Sequence, residues 1–159
     1  MKKIKQLIKS MLAVGMIMTM ASCSFFGGDS GADVQLNVLV NKQVNPDPSG
    51  RASPLVVKIY ELDDKLAFET KDFFSVYDAS DEGLAKAILE QKEYQLNPGH
   101  EIHKGLVTNP KTKFIGIVAA FRDIEIAKWR AVAKVEPGEE HKITFTLQGV
   151  TIEVTEEEL

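Results

Sequence analysis

Apolar and polar side chains alternate one for one in several stretches of this 159-residue chain, the pattern of a β-strand with one buried face. Val34, Leu36, Val38 and Val40 alternate with Gln35 and Asn37, so residues 33–43 read as a first strand. Trp129, Ala131, Ala133 and Val135 alternate with Arg130 and Lys134. Ile143, Phe145 and Leu147 alternate with Thr144 and Thr146, and after Gly149 the same holds for Val150, Ile152 and Val154 against Thr151 and Glu153. Strands of this kind must press their apolar faces against a second layer, and turn signals such as Pro137-Gly138 separate them at close spacing. Together they predict a β-sandwich.

Two further segments fit that frame. Leu55–Leu62 is β-branched and aromatic, bounded by Pro54 before and Asp63-Asp64 after, and reads as the second strand. Phe114–Phe121 is apolar on both faces, which places it at the centre of the fold with cover on both sides. Between them the period changes. Thr70, Phe73, Phe74 and Tyr77 recur at helical spacing, predicting a short helix between Phe68 and Tyr77. Leu84 and Ile88 suggest a second one that runs into a strand ending before Asn97-Pro98-Gly99. The fold class is therefore all-β with minor α, a sandwich carrying a short helical insertion.

The amino terminus has a different character. Lys2, Lys3, Lys5 and Lys9 lead into an apolar run from Met11 to Met20, the n-region and h-region of an export signal. The run is about half the ~20 residues that span a bilayer. It ends in Met20-Ala21-Ser22-Cys23, which resembles the lipobox of bacterial lipoproteins. Cys23 is the one cysteine of the chain, so no disulfide partner competes with lipid attachment. The expected organisation is a signal peptide at 1–22, a lipidated Cys23 with a flexible tether at 23–31, and a β-sandwich domain at 32–159. Ser24 lacks the aspartate that holds many such proteins in the inner membrane, so sorting to the outer membrane is expected.

Charge and motifs narrow the function classes. Cleavage before Cys23 removes four of the 19 basic residues and none of the 23 acidic ones, leaving an acidic domain with no basic cluster. That disfavours nucleic acid as a partner. His100 and His103, three apart, fall on opposite faces of a strand, and His141 is remote; solvated histidines, not a metal site, are expected. Asp78–Gly83 has the glycine of a calcium loop, but Leu89 stands where the twelfth-position glutamate is needed, so a helix-capping turn is expected. Asp63-Asp64 reads as a turn. There is no Gly-x-Ser-x-Gly elbow, no phosphate-binding glycine loop and no free cysteine nucleophile. An enzyme is not expected, nor is a cofactor or a metal.

Several of these pieces combine into a resemblance. Pro54 leading into Leu55–Leu62, Phe68 with Phe73-Phe74, Pro98-Gly99, Phe114–Phe121 with Arg122-Asp123, and Trp129-Arg130 together resemble the TssJ lipoproteins of type VI secretion systems, over about residues 32 to 150. Phe121 stands where tyrosine is expected. The resemblance implies a transthyretin-like β-sandwich with a short helical insertion, anchored by lipid to the periplasmic face of the outer membrane. It implies a partner, the periplasmic C-terminal region of a large TssM-like inner-membrane protein. It also places the partner-binding element in the loop between the first two strands, here Val44, Asn45, Pro46, Asp47, Pro48, Ser49, Gly50, Arg51, Ala52 and Ser53. Prolines in that loop lower the entropy lost on docking, and its polar side chains suit an interface rim. The alternative reading is a small-ligand-binding or hydrolytic periplasmic lipoprotein on the same sandwich, because fold alone does not fix function.

Overall fold

The computed structural model describes residues 30–159; the expected signal segment, Cys23 and the tether through Asp29 lie outside them. Among the described residues, eight strands form two four-stranded sheets. β1 (Asp33–Val40), β4 (Glu101–Val107), β7 (Glu140–Gln148) and β8 (Thr151–Glu158) make one, in the order β4-β1-β7-β8. β2 (Leu55–Leu62), β3 (Ile88–Leu96), β5 (Phe114–Ala119) and β6 (Arg130–Lys134) make the other, in the order β3-β2-β5-β6. Neighbouring strands are antiparallel throughout, except that β1 runs parallel to β7.

The alternation in the sequence decides which side chains fill the space between the sheets. From the first sheet come Val34, Leu36, Val38, Ile143, Phe145 and Leu147; from the second come Leu55, Val57, Ile59, Ile115, Ile117 and Ala133, all buried. The first strand ends at Val40, three residues earlier than expected. Asn41 turns the chain instead, its Oδ1 accepting from the Gln43 amide at 2.9 Å.

The second sheet also has a buried outer face. Tyr60 and Leu62 of β2 and Val118 of β5 are wholly buried there, beneath three short helices: α1 (Leu66–Thr70), α2 (Phe73–Tyr77) and α3 (Glu82–Ala87). These contribute Phe68, Val76 and Leu84 to a second apolar cluster. The double cover expected for Phe114–Phe121 is therefore present: Ile115 and Ile117 face the sandwich, and Val118 faces the helices. Gly116 makes room for the helices, because a Cβ there would lie 2.7 Å from Cζ of Phe68.

The single helix expected between Phe68 and Tyr77 is two helices. Lys71 takes an extended conformation and Asp72 starts a new one, its carboxylate accepting from the Ser75 amide at 3.1 Å and the Ser75 hydroxyl at 2.6 Å. Asp81 caps α3 in the same way, accepting from the Leu84 amide at 3.0 Å, and pairs with Lys71 at 2.7 Å. This is the capping turn expected of Asp78–Gly83. Asp64 likewise accepts from the Leu66 amide at 2.7 Å, the turn expected of Asp63-Asp64.

Helices of five or six residues do not persist alone in water. Apart from the buried apolar side chains, donors from the sheet below hold them by carbonyls at their C-terminal ends. Tyr60 Oη donates to the Val76 carbonyl at 3.2 Å and Lys58 Nζ to that of Tyr77 at 2.8 Å, both at the end of α2. Arg130 Nη1 donates to the carbonyls of Phe68 at 2.8 Å and Lys71 at 2.6 Å, at the end of α1. Arg130, expected to face outward, is thus a tie between β6 and the insertion. Its guanidinium stacks over Trp129, whose half-buried ring meets Phe73 edge-on at 5.2 Å.

Two outcomes follow for the insertion. Arg130→Met keeps the stem but leaves two helix carbonyls without their donor, so a loss of about 1–3 kcal/mol is expected in urea unfolding. The second is a pH response. The Asp72 carboxyl is held below the ordinary carboxylate range chiefly by the Ser75 hydroxyl and amide, and that of Asp81 chiefly by Lys71 and then the Leu84 amide. A lowered folded-state pKa adds stability that is present above the ordinary aspartate value of 3.8 and lost as pH falls through the folded value. Amide exchange in α2 and α3 should therefore rise first as the solution is acidified below that value.

Candidate functional site

The segment from Val44 to Ser53 leaves the end of β1 and enters β2, and the structure divides it into a buried base and an exposed tip. Val44 is wholly buried in the main core. Asn45 is 2% exposed, and its φ of 50° is one that asparagine tolerates better than most residues. Its side chain and backbone join three separated segments. Asn45 Nδ2 donates to the Pro54 carbonyl at 3.0 Å, Oδ1 accepts from the Arg122 amide at 2.8 Å, and its own amide donates to the Gly149 carbonyl at 2.7 Å. Ser53 closes the base by donating its amide to the Val44 carbonyl at 3.2 Å. The segment is therefore not a plain surface connector throughout, and its first two residues are not available to a partner.

Beyond this base the chain projects as an ordered turn built on Asp47. Asp47 Oδ1 accepts from the amides of Ser49 at 2.8 Å and Arg51 at 3.0 Å, while Oδ2 accepts from Arg51 Nε at 2.9 Å. The Gly50 amide donates to the Asp47 carbonyl and the Asp47 amide to that of Arg51, both at 2.8 Å. Gly50 has a φ of 78°, in the left-handed region where a side chain would be strained. The Arg51 amide, above all, holds the Asp47 carboxyl below its ordinary value. Pro46, Pro48, Ser49, Gly50 and Arg51 are exposed, whereas Asp47, Ala52 and Ser53 are half-buried.

A shallow cleft separates the tip from the segment after β5. Pro46, Asp47 and Pro48 form one wall, Arg122 and Asp123 the other. Sequence reasoning took Arg122 and Asp123 only as part of a resemblance, not as neighbours of the loop. Their position directly after the doubly covered strand was the one available signal. The cleft presents prolines and both signs of charge on a preformed backbone, which suits recognition of a protein surface rather than bond chemistry.

The histidines are scattered. His103 contacts Asn37 at 2.7 Å and Glu101 at 3.1 Å, both exposed. His100 Nδ1 accepts from the Asn97 amide at 3.3 Å. His141, expected to be solvated, is 8% exposed, and its Nε2 accepts from the Glu136 amide at 3.0 Å, closing the turn before β7. Among the described residues, no three His, Cys, Asp or Glu side chains converge as metal ligands would.

Comparison with known proteins places this architecture. A family model described as type VI secretion lipoprotein, VasD, EvfM, TssJ, matches residues 32–156. No curated protein matches the chain. The T6SS lipoprotein TssJ1 from Pseudomonas aeruginosa is 30% identical, with a TM-score of 0.75 over 80% of this chain and 97% of that one. A chain in a structure described as a type VI membrane complex is 26% identical, with a TM-score of 0.67 over 77% of this chain and 97% of that one. A chain in a structure described as the T6SS protein TssM C-terminal domain from EAEC is also 26% identical, with a TM-score of 0.64 over 77% and 99%. The match spans both sheets, the helical insertion and the loop between the first two strands, and the chain belongs to the TssJ family of type VI secretion lipoproteins.

Proposed function

We propose that this protein is a structural component of a type VI secretion apparatus, held by lipid on Cys23 at the periplasmic face of the outer membrane. There it binds the periplasmic C-terminal region of a TssM-like inner-membrane protein. The observation that carries this reading is the family match, joined to likeness with chains in structures described as a type VI membrane complex and a TssM C-terminal domain. Among the described residues no helix is long and apolar enough to cross a membrane. The attachment proposed here rests on the lipobox-like segment before the domain, where acyl chains on one residue give a stable anchor. A role in holding rather than catalysis agrees with a site made of prolines, a closed turn and an open cleft.

The docking surface we assign is the tip from Pro46 to Ala52 with Arg122 and Asp123 across the cleft. Its shape is largely set before binding, by Pro46 and Pro48 and by the hydrogen bonds to Asp47, which lowers the entropy lost on association. Asn45 belongs to the support instead. The two roles separate by mutation. Replacing Pro46–Ala52 with a glycine-serine segment of equal length, while keeping Val44, Asn45 and Ser53, should shift stability by only about 1 kcal/mol. The same change should weaken capture of the partner's periplasmic domain more than tenfold in calorimetric titration. Unchanged affinity in that folded variant would move the interface elsewhere.

Attachment is tested independently. Cys23→Ser should abolish incorporation of radiolabelled palmitate and release the protein from the outer-membrane fraction without altering its affinity for the partner. Retained label on the serine variant would rule out Cys23 as the acceptor.

A further inference from the structure

The two sheets are closed along one side and open along the other. β6 and β8 meet on the closed side, where Lys128 bridges Thr151 and the Ile152 amide donates to the Lys128 carbonyl at 3.1 Å. On the other side the edge strands β3 and β4 stand apart, and a cavity of about 110 Å³ opens between them. Val34, Leu36, Ile59, Leu106 and Ile115 line it with apolar surface. Lys104 Nζ of β4 donates to Tyr94 Oη of β3 at 3.0 Å, a polar strap between the two edges of the cavity.

Glu61 also lines this cavity. It is only 6% exposed, on the interior face of β2, and its Oε2 accepts from the Asn109 amide and the Thr112 hydroxyl, each at 2.8 Å. Both donors are neutral. Oε1 accepts no hydrogen bond from the described residues, and Glu61 forms no ion pair among them. Lys92 and Lys104 line the cavity too, but Lys92 is paired with Glu90 at 2.7 Å and Lys104 Nζ donates to Tyr94 Oη, so neither forms an ion pair with Glu61. A buried carboxylate ordinarily has a cationic or fully hydrogen-bonded environment, because its desolvation is otherwise costly. Here Oε1 takes no donor from the described residues and stays accessible at a cavity whose wall is largely apolar.

We propose that this cavity is a binding site for a small primary ammonium compound with a compact, branched apolar body, its ammonium donating to Glu61 Oε1. The volume sets the size of the body, since apolar cavities of about 150 Å³ hold a molecule as large as benzene. The carboxylate sets the sign of the head group. The site lies on the β3 and β4 edges and shares no residue with the loop assigned to partner docking, so it stands independently of that assignment.

The probe is 3-methylbutylammonium, compared with its neutral counterpart 3-methylbutanol, on the mature protein with methyl-labelled Ile, Leu and Val. Saturable shifts of the Val34, Leu36, Ile59 and Ile115 methyl signals are expected. The ammonium should bind about tenfold more tightly than the alcohol, the ratio that one charge-assisted hydrogen bond supplies. Glu61→Gln should erase that preference. Leu106→Phe, at a half-buried edge position, fills the cavity without touching the carboxylate and should abolish the shifts for both probes. Absence of saturable shifts in the unmodified protein overturns the proposal, as does equal affinity for alcohol and ammonium. Should Glu61→Gln not fold, the wild-type preference and its loss in Leu106→Phe decide the matter.

Discussion

A short helix ends in carbonyls that its own turns leave under-satisfied, and in this protein side chains of the sheet beneath donate to several of them. Tyr60 and Lys58 serve the end of α2, and Arg130 serves the end of α1. These contacts make the helical insertion part of the sandwich rather than an appendage. Because the insertion stays seated, Tyr60, Leu62 and Val118 can be apolar on a face that would otherwise meet water. β5 then becomes a strand with two interiors, and the second sheet a middle layer between helices and the first sheet.

The same logic accounts for what could be read from the chain. β5 was legible because apolar residues on both faces have few other solutions, and β2 because Pro54 and Asp63-Asp64 bracket a β-branched run. The break between α1 and α2 was not, although Asp72 and Ser75 stand at capping distance. Aromatic spacing carries across the break, and periodicity alone does not register a change of axis. β4, touched on only through His100 and His103, was given no bounds for another reason. Its inward positions are Ile102, Lys104 and Leu106, and the central one reaches across an open edge to Tyr94 instead of into the core, so the strand never shows an apolar alternation.

At the candidate site, the prolines marked the loop and its exposed tip, but not its foundation. Asn45 looks like one more polar loop residue until the fold brings Pro54, Arg122 and Gly149 around it. Such bonds join segments up to 104 positions apart in the chain, from Asn45 to Gly149, and no local pattern announces them. His141 is a similar case, a polar side chain consumed in closing a turn. Both examples show polar residues recruited to structure where a linear reading would leave them to solvent or to function.

The course of β1 has a geometric result. The chain enters the domain at Gly31, whose carbonyl accepts from the Gly138 amide, and the loop from Val44 begins only after β1 has ended. Eight extended residues cover about 26 Å. The point of entry and the Asp47 turn are thus set at opposite poles of the sandwich by a single rigid strand. If the lipid holds the first pole against one bilayer, the second is aimed across the compartment toward the other. On that arrangement the domain would serve as a spacer of defined length, with tension applied at the turn carried along β1 and shared with its two hydrogen-bonded neighbours, β4 and β7.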